Sequence, residues 1–500
     1  MKSQAPDPDL LPSSASSLPM HTSSITSRDW TLSKLMKDSS NFQEVRRVSC
    51  LDKAWTSTAE DCEREGIPLI VEDWHAHNTW NEAFKADFLL AKHADDVVST
   101  RNVGNFKDAD MKFSDFIEYS RTRTPPHSTR DALLYAKDVE CPEEWREWFL
   151  SGALPSELQP HGCTDLLRHL PKSEQVETTL CYYGIGGTFT PCHKDLCGST
   201  GHNLMCHAEN GSSFWFMTAS NAASEVAKYF QDIIGGELDW ENRAITVEEL
   251  RNAPFAVYVA EQKLGDLIII PPRSCHQVVN HGGLTMKLSW SRMTMKGLTM
   301  ALFYELPVYR RVCRPEIYRV KSVLHYSLRH YTNELEDALQ NSREVAKKKS
   351  REIALLEMLV SLFERVLREE FGQSEHVTYE ADCTPAPSLT NDDSPSQTPS
   401  HTAGGRDQYA CDYCGADIFQ SYFKCETCCP APASDDPRAG DALVICAACY
   451  VEGRSCKCGI MTPTQRHRME ALLDDRNKAA LILHHICTPE MAQGHELSMK

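Results

Sequence analysis

Five hundred residues, 41% of them hydrophobic, suffice for roughly two to four globular domains with ordinary cores. A formal charge of −18 argues against a general nucleic-acid-coating protein and suits attraction to a basic partner such as a histone tail. No apolar run reaches the roughly eighteen residues of a membrane span, and MKSQAPDPDL has neither a signal-peptide core nor an Arg-rich transit pattern, so no membrane partner is expected.

Residues 1–28 are rich in Ser, Pro and Thr and are expected to be disordered. From about Trp30 to Met300 the sequence looks globular. GIPLIVEDW (Gly66–Trp74) is a short apolar, β-branched run and reads as a strand, as does DALLYAKD (Asp131–Asp138). SEQVETTLCYYGIGGTFTPCHKD alternates and carries glycines, the pattern of strand, turn and strand. Three more strands follow at Phe255–Ala260, Asp266–Ile270 and Thr285–Trp290, separated by Gly, Pro and Asn-His-Gly-Gly turns. Short strands with turns at this spacing predict an antiparallel barrel or sandwich across residues 29–300, with its core at about 175–295.

Residues 301–371 change to helical periodicity. Leu355, Leu356, Leu359, Leu362, Phe363 and Val366 form one apolar stripe, expected to pack on the barrel or on a partner helix. Lys347, Lys348 and Lys349 read as one solvated helix face, with a nuclear localisation signal as the alternative. Residues 372–407 are Pro/Ser/Thr/Asp-rich, as in a flexible linker. A Cys-rich module spans 408–460. The segment 461–500, beginning TPTQRHRMEALLDDRNKAALILHHI after Met461, reads as a helical tail.

The chain has 21 cysteines, and nine fall between Cys411 and Cys458. They pair as Cys411/Cys414, Cys425/Cys428, Cys446/Cys449 and Cys456/Cys458. Each pair can supply half of a tetrahedral zinc site, so two closed, structural Zn(II) sites are expected. So small a module cannot bury much core and depends on its metal. Cys429 is left over, and His467 is a substitute candidate.

A second metal pattern lies upstream. TPCHKDL places His193 and Asp195 two residues apart, which on a strand puts both on one face. IIIPPRSCHQVVN supplies His276 from a later strand. Two imidazoles and one carboxylate suit an open Fe(II) centre with three positions left free. Cys192, Cys197 and Cys275, beside these residues, read as small buried side chains. Lys194 is expected to alternate away from the metal and be exposed.

At TPCHKDL, GSSFWFM, GDLIIIPPRSCHQVVN and LLYAKD the sequence resembles the JmjC family of Fe(II)/2-oxoglutarate oxygenases, from roughly Gly66 to Met300. The resemblance implies a mainly β double-stranded β-helix, or cupin-like jelly roll, with surrounding helices. It implies His193, Asp195 and His276 as catalytic iron ligands. It also implies Thr190, Asn203 and either Tyr182 or Tyr183 beside 2-oxoglutarate. One position departs. Where the family has lysine in G-x-K-x-W, this chain has Ser213, which hydrogen-bonds but carries no charge. Lys287, with Ser289 two residues on, is the candidate replacement. The alternatives are a structural lysine or an inactive domain.

The cysteine spacing loosely resembles ZZ, PHD and RING cross-brace fingers, with first pair joined to third and second to fourth. Together these resemblances imply a nuclear histone lysine demethylase using Fe(II), 2-oxoglutarate, O2 and two Zn(II). Its partners would be a histone tail or other basic protein substrate, and chromatin-associated proteins bound by the finger. No direct sequence-specific nucleic-acid binding is expected. A JmjC protein hydroxylase and a non-catalytic chromatin scaffold are the rival readings.

Overall fold

A computed structural model describes residues 25–37, 39–122, 133–370, 378–379, 410–425, 427–428 and 442–488. Eight strands build the central barrel: β1 (Leu180–Gly184), β2 (Phe189–His193), β3 (Thr200–Ala208), β4 (Gly211–Met217), β5 (Val257–Gln262), β6 (Leu267–Ile270), β7 (His276–Gly282) and β8 (Thr285–Arg292). They fall into two sheets with neighbour orders β5-β4-β7-β2 and β6-β3-β8-β1. All neighbours within these two orders pair antiparallel. This is the predicted jelly roll.

The alternation of each strand decides what faces inward. Trp215, Met217, Ala260, Ile268, Ile270 and Val278 meet between the sheets. The opposite face of the β6-β3-β8-β1 sheet carries Leu204, Cys206, Leu267, Ile269, Met286, Leu288 and Trp290. There they pack under helices from residues 55–150.

Strands upstream of the barrel extend both sheets. Phe42–Glu44 runs parallel to β5, Leu69–Glu72 borders β6, and Leu134–Glu140 borders β1. The strand expected at Asp131–Asp138 therefore begins and ends later; residues 131–132 lie outside the described residues. Residues 1–24 also lie outside them, but 25–28 are not loose. Ser27 is buried, its hydroxyl donates to the Asn280 carbonyl at 2.8 Å, and its own carbonyl faces His281 Nδ1 at 2.9 Å.

Three helices form a second core: α1 (Val320–Asn341), α2 (Ser350–Glu369) and α3 (Met469–Cys487). Leu356, Leu359, Leu362, Phe363 and Val366 of α2 are buried against Leu328 and Leu335 of α1 and against Leu472, Ala479 and Ile482 of α3. The α2 stripe thus meets partner helices.

The cysteine module docks on this bundle. Phe419 sits edge-on to Phe363, with ring centres 6.2 Å apart, and edge-on to His325 at 5.8 Å. Asp417 and Ser421 donate backbone N–H groups to the carboxylates of Glu316 and Glu370 at 3.2 and 2.9 Å. Two boundaries differ from the sequence expectation. Thr462–Gln465, read as the start of a helical tail, is a strand paired with Ser421–Cys425. Thr378–Tyr379, inside the expected linker, pairs with Thr462–Gln465 in turn. In both cases a short β-bonded edge in the finger sheet overrides local composition. The rest of 372–407 lies outside the described residues.

Candidate metal centre and co-substrate pocket

β2 ends at His193 and β7 begins at His276, and the register sets these two residues opposite each other. Their ring centres are 4.1 Å apart. Each ring is fixed by its own turn. His193 Nδ1 donates to the Pro191 carbonyl at 2.9 Å, and His276 Nδ1 donates to the Ser274 carbonyl at 3.1 Å. A carbonyl can only accept, so each Nδ1 carries its hydrogen and each Nε2 is the atom left to meet a metal, the arrangement that orients a metal-binding imidazole.

Asp195 follows two residues past the end of β2. Its Oδ1 is 3.9 Å from His276 Nε2. Its Oδ2 is buried and has no hydrogen-bond partner among the described residues, an expensive state for a carboxylate oxygen unless a cation meets it. Gly201 makes room for it, because a Cβ there would lie 2.0 Å from Oδ2. One donor atom from each of His193, Asp195 and His276 lies within 4.8 Å of the others. Burial, reinforced by the neighbouring His276, pushes the His193 pKa down to about 3, so its ring is neutral at physiological pH. Two imidazoles and one orphaned carboxylate oxygen fit a single divalent ion with open positions.

Lys194 is the first correction. It faces away from the metal as expected, but the helical extension covers that side. Lys194 is buried, with Nζ 2.6 Å from Glu305 and 3.2 Å from Asp239.

The inner face of the barrel carries a polar cluster beside this centre. A bulge between β7 and β2 sets His276 against His193 but Val278 against Thr190. Thr190 therefore shares the inner face with His193, and its hydroxyl lies 3.3 Å from that of Tyr135. Lys287 is 1% exposed, and its Nζ donates to Asn280 Oδ1 at 2.5 Å. Ser213 donates to the same oxygen at 2.8 Å, and Asn280 Nδ2 donates to Thr188 Oγ1 at 2.8 Å. Burial lowers the Lys287 pKa to about 7.

Two candidates are already engaged elsewhere. Ser289 donates to the His202 carbonyl at 2.8 Å, and Asn203 Oδ1 accepts from Gln262 at 3.1 Å. Tyr183 is the second correction: it lies in the outer core against Phe113, Phe116 and Trp145, on the far side of the sheet from Lys287. Tyr182 takes the inner position, donating to Asp138 Oδ1 at 2.8 Å. Sequence reasoning gave no role to Asn280 and Tyr135. Asn280 is four residues past His276 on one strand, so the same period-two count would have found it.

The eight module cysteines divide into two groups, Cys411/Cys414/Cys446/Cys449 and Cys425/Cys428/Cys456/Cys458. First pair joins third and second joins fourth, the cross-braced order. Sulfur separations include 3.8 Å for Cys414–Cys446 and 3.6 Å for Cys425–Cys458. A zinc tetrahedron with Zn–S bonds of about 2.3 Å has edges of about 3.8 Å, so both groups can hold zinc. His467 belongs to neither group, and Cys429 lies outside the described residues.

A jelly roll with two histidines and an aspartate converging on its inner face defines the cupin-like class of open metal centres. Residues 180–290 match the family described as JmjC domain, hydroxylase. C-module-binding factor A of Dictyostelium discoideum is 31% identical over 401 residues. That match takes in 79% of this chain but only 38% of that relative's length. Residues 180–290 of this chain form a JmjC domain. The family points to hydroxylase or oxygenase chemistry with Fe(II) and 2-oxoglutarate, and the His193–Asp195–His276 geometry is compatible with that iron.

Proposed function

We propose that the chain is a nuclear, 2-oxoglutarate-dependent dioxygenase that demethylates lysine side chains of histone-like basic tails. One observation carries the co-substrate part. The only buried cation donating into the inner polar cluster among the described residues, Lys287, meets the oxygen that Ser213 also meets. The charge that the family places at the Ser213 position is thereby supplied from β8. His193, Asp195 and His276 would hold Fe(II); Lys287, with Thr190 and Tyr135 nearby, would hold the distal carboxylate of 2-oxoglutarate.

Iron bound there, with 2-oxoglutarate and dioxygen, supplies hydroxylation of a C–H bond as succinate and carbon dioxide leave. On an N-methyl group the product is a hemiaminal, which breaks its C–N bond to give formaldehyde and free lysine. Aromatic faces in the wall suit a cationic substrate: the Tyr135 and Tyr182 rings lie 6.3 Å apart. The net charge of −18 favours encounter with a basic tail. The docked finger offers a surface for chromatin-associated proteins.

The family description favours a second reading, stable hydroxylation of a protein side chain. One assay separates the readings. The 500-residue chain with Fe(II), 2-oxoglutarate and methylated histone peptides should release succinate and formaldehyde in equal amounts. A peptide gaining one oxygen without formaldehyde would support the hydroxylase. Succinate release no greater than that of His276→Ala would overturn both and leave a scaffold.

A further inference from the structure

Both segments that carry the metal ligands end on one buried carboxylate that lies outside the barrel. Glu305 is 0% exposed and closes a π-turn, Ala301–Glu305, between the helices Met295–Met300 and Leu306–Val312. Its Oε2 accepts Lys194 Nζ at 2.6 Å, and Lys194 stands between the ligands His193 and Asp195. Its Oε1 accepts Arg273 Nε at 2.7 Å, and Arg273 lies in the turn that leads into His276. The backbone of Arg273 is held at φ +66°, a left-handed conformation that a non-glycine residue keeps only when its surroundings impose it.

The surrounding packing leaves this carboxylate little freedom. A Cβ at Gly198 would lie 3.2 Å from the Gly297 carbonyl, so the two backbones are in close contact. Cys197 N–H donates to the Tyr309 hydroxyl at 2.9 Å. Lys194 is held a second time by Asp239, which also pairs with Arg314 at 3.3 Å. π-Turns of this kind recur at functional sites.

We infer that Glu305 is a positioning residue: by bridging Lys194 and Arg273 it fixes the distance between the His193–Asp195 segment and His276. The inference rests on the metal-centre reading above. Glu305 touches neither metal nor substrate and acts through the two turns. It reaches the site from the helical extension, so that extension is part of the metal-binding apparatus.

The test uses the full zinc-loaded chain titrated with Mn(II) and followed by EPR. Closed thiolate sites already filled with zinc do not compete for this ion. Wild type should bind one Mn(II), and Glu305→Gln should weaken that binding about tenfold and alter the bound-ion spectrum, in keeping with losses seen for outer-sphere partners. Arg273→Gln, at the less buried end of the bridge, should weaken it too, and combining the two should add little to Glu305→Gln alone. Unchanged affinity and spectrum in both folded variants would overturn the inference, even if their melting temperatures fall, since that marks a mere brace. Failure of the wild type to bind Mn(II) would overturn the metal-centre reading itself, and this inference with it.

Discussion

Lys287 and Ser213 converge on a single oxygen: Nζ of one and Oγ of the other donate to Asn280 Oδ1, at 2.5 and 2.8 Å. They come from different sheets, β8 and β4, so the ammonium reaches across the barrel to the place a lysine at position 213 would fill. Replacing Lys287 by methionine should weaken 2-oxoglutarate binding about 10–100-fold, the worth of about 1.5–3 kcal/mol for a hydrogen bond to a charged group. The exchange variant Lys287→Ser with Ser213→Lys should recover most of that loss, as isothermal titration would show. An exchange variant no better than Lys287→Ser would mean that the anchor lies elsewhere.

The same lysine makes stability and co-substrate binding depend on pH. Its pKa falls from 10.5 to about 7 on folding because burial disfavours the charged form. Between those values the unfolded chain holds a proton that the folded chain lacks, so this residue's contribution to stability rises with pH across that window and is lost as pH falls toward 7. A bound carboxylate reverses the preference and draws a proton onto Lys287. Binding of 2-oxoglutarate should therefore take up a proton and weaken as pH rises above about 7. Calorimetry in buffers of different ionisation enthalpy measures this uptake directly; zero uptake at pH 8 would contradict it.

Gly201 has no side chain where Asp195 needs space. A Cβ would stand 2.0 Å from Oδ2, too close for any relaxation that leaves the carboxylate in place. Gly201→Ala should cut metal affinity at the triad at least about 10–100-fold, a loss of the size seen when a ligand is displaced from its support. Equal Mn(II) affinity in wild type and variant would refute this placement of Asp195.

Zinc removal should reach beyond the finger. Phe419 is part of the helical core, and Asp417 and Ser421 bond to Glu316 and Glu370. A module of this size unfolds without its metal, which strips those contacts from the bundle. Calorimetric unfolding of chelated protein should show a lower melting temperature for the helical and barrel transition. An unchanged main transition would mean that the finger is an independent appendage.

Much of this was legible because period-two alternation writes the inner face of a strand directly into sequence. Counting from His276 gives Val278 and Asn280; counting along β8 gives Lys287 and Ser289 together. The same rule gives the side a residue faces, not what covers that side or which phase a strand starts in. Lys194 faces away from the metal as alternation predicts, but it is buried by Glu305 of the helical extension. Tyr182 and Tyr183 differ only in phase, and the surrounding sequence does not state which one faces Lys287; the register against β8 does. Glu305 left no local signal at all, since its role depends on a helix turn more than a hundred residues from Lys194 in sequence packing against the metal segment. The cysteine spacing yields eight thiols, and the pairing implied by its likeness to cross-brace fingers is the one the fold brings together.

The most direct test is a crystal structure of the full chain grown with Mn(II) and 2-oxoglutarate, with anomalous data collected at the manganese edge. One manganese peak should bridge His193 Nε2, Asp195 and His276 Nε2, with the chelating end of 2-oxoglutarate on the metal and its far carboxylate on Lys287 Nζ. Manganese absent from the triad, or a far carboxylate held away from Lys287, would contradict the account.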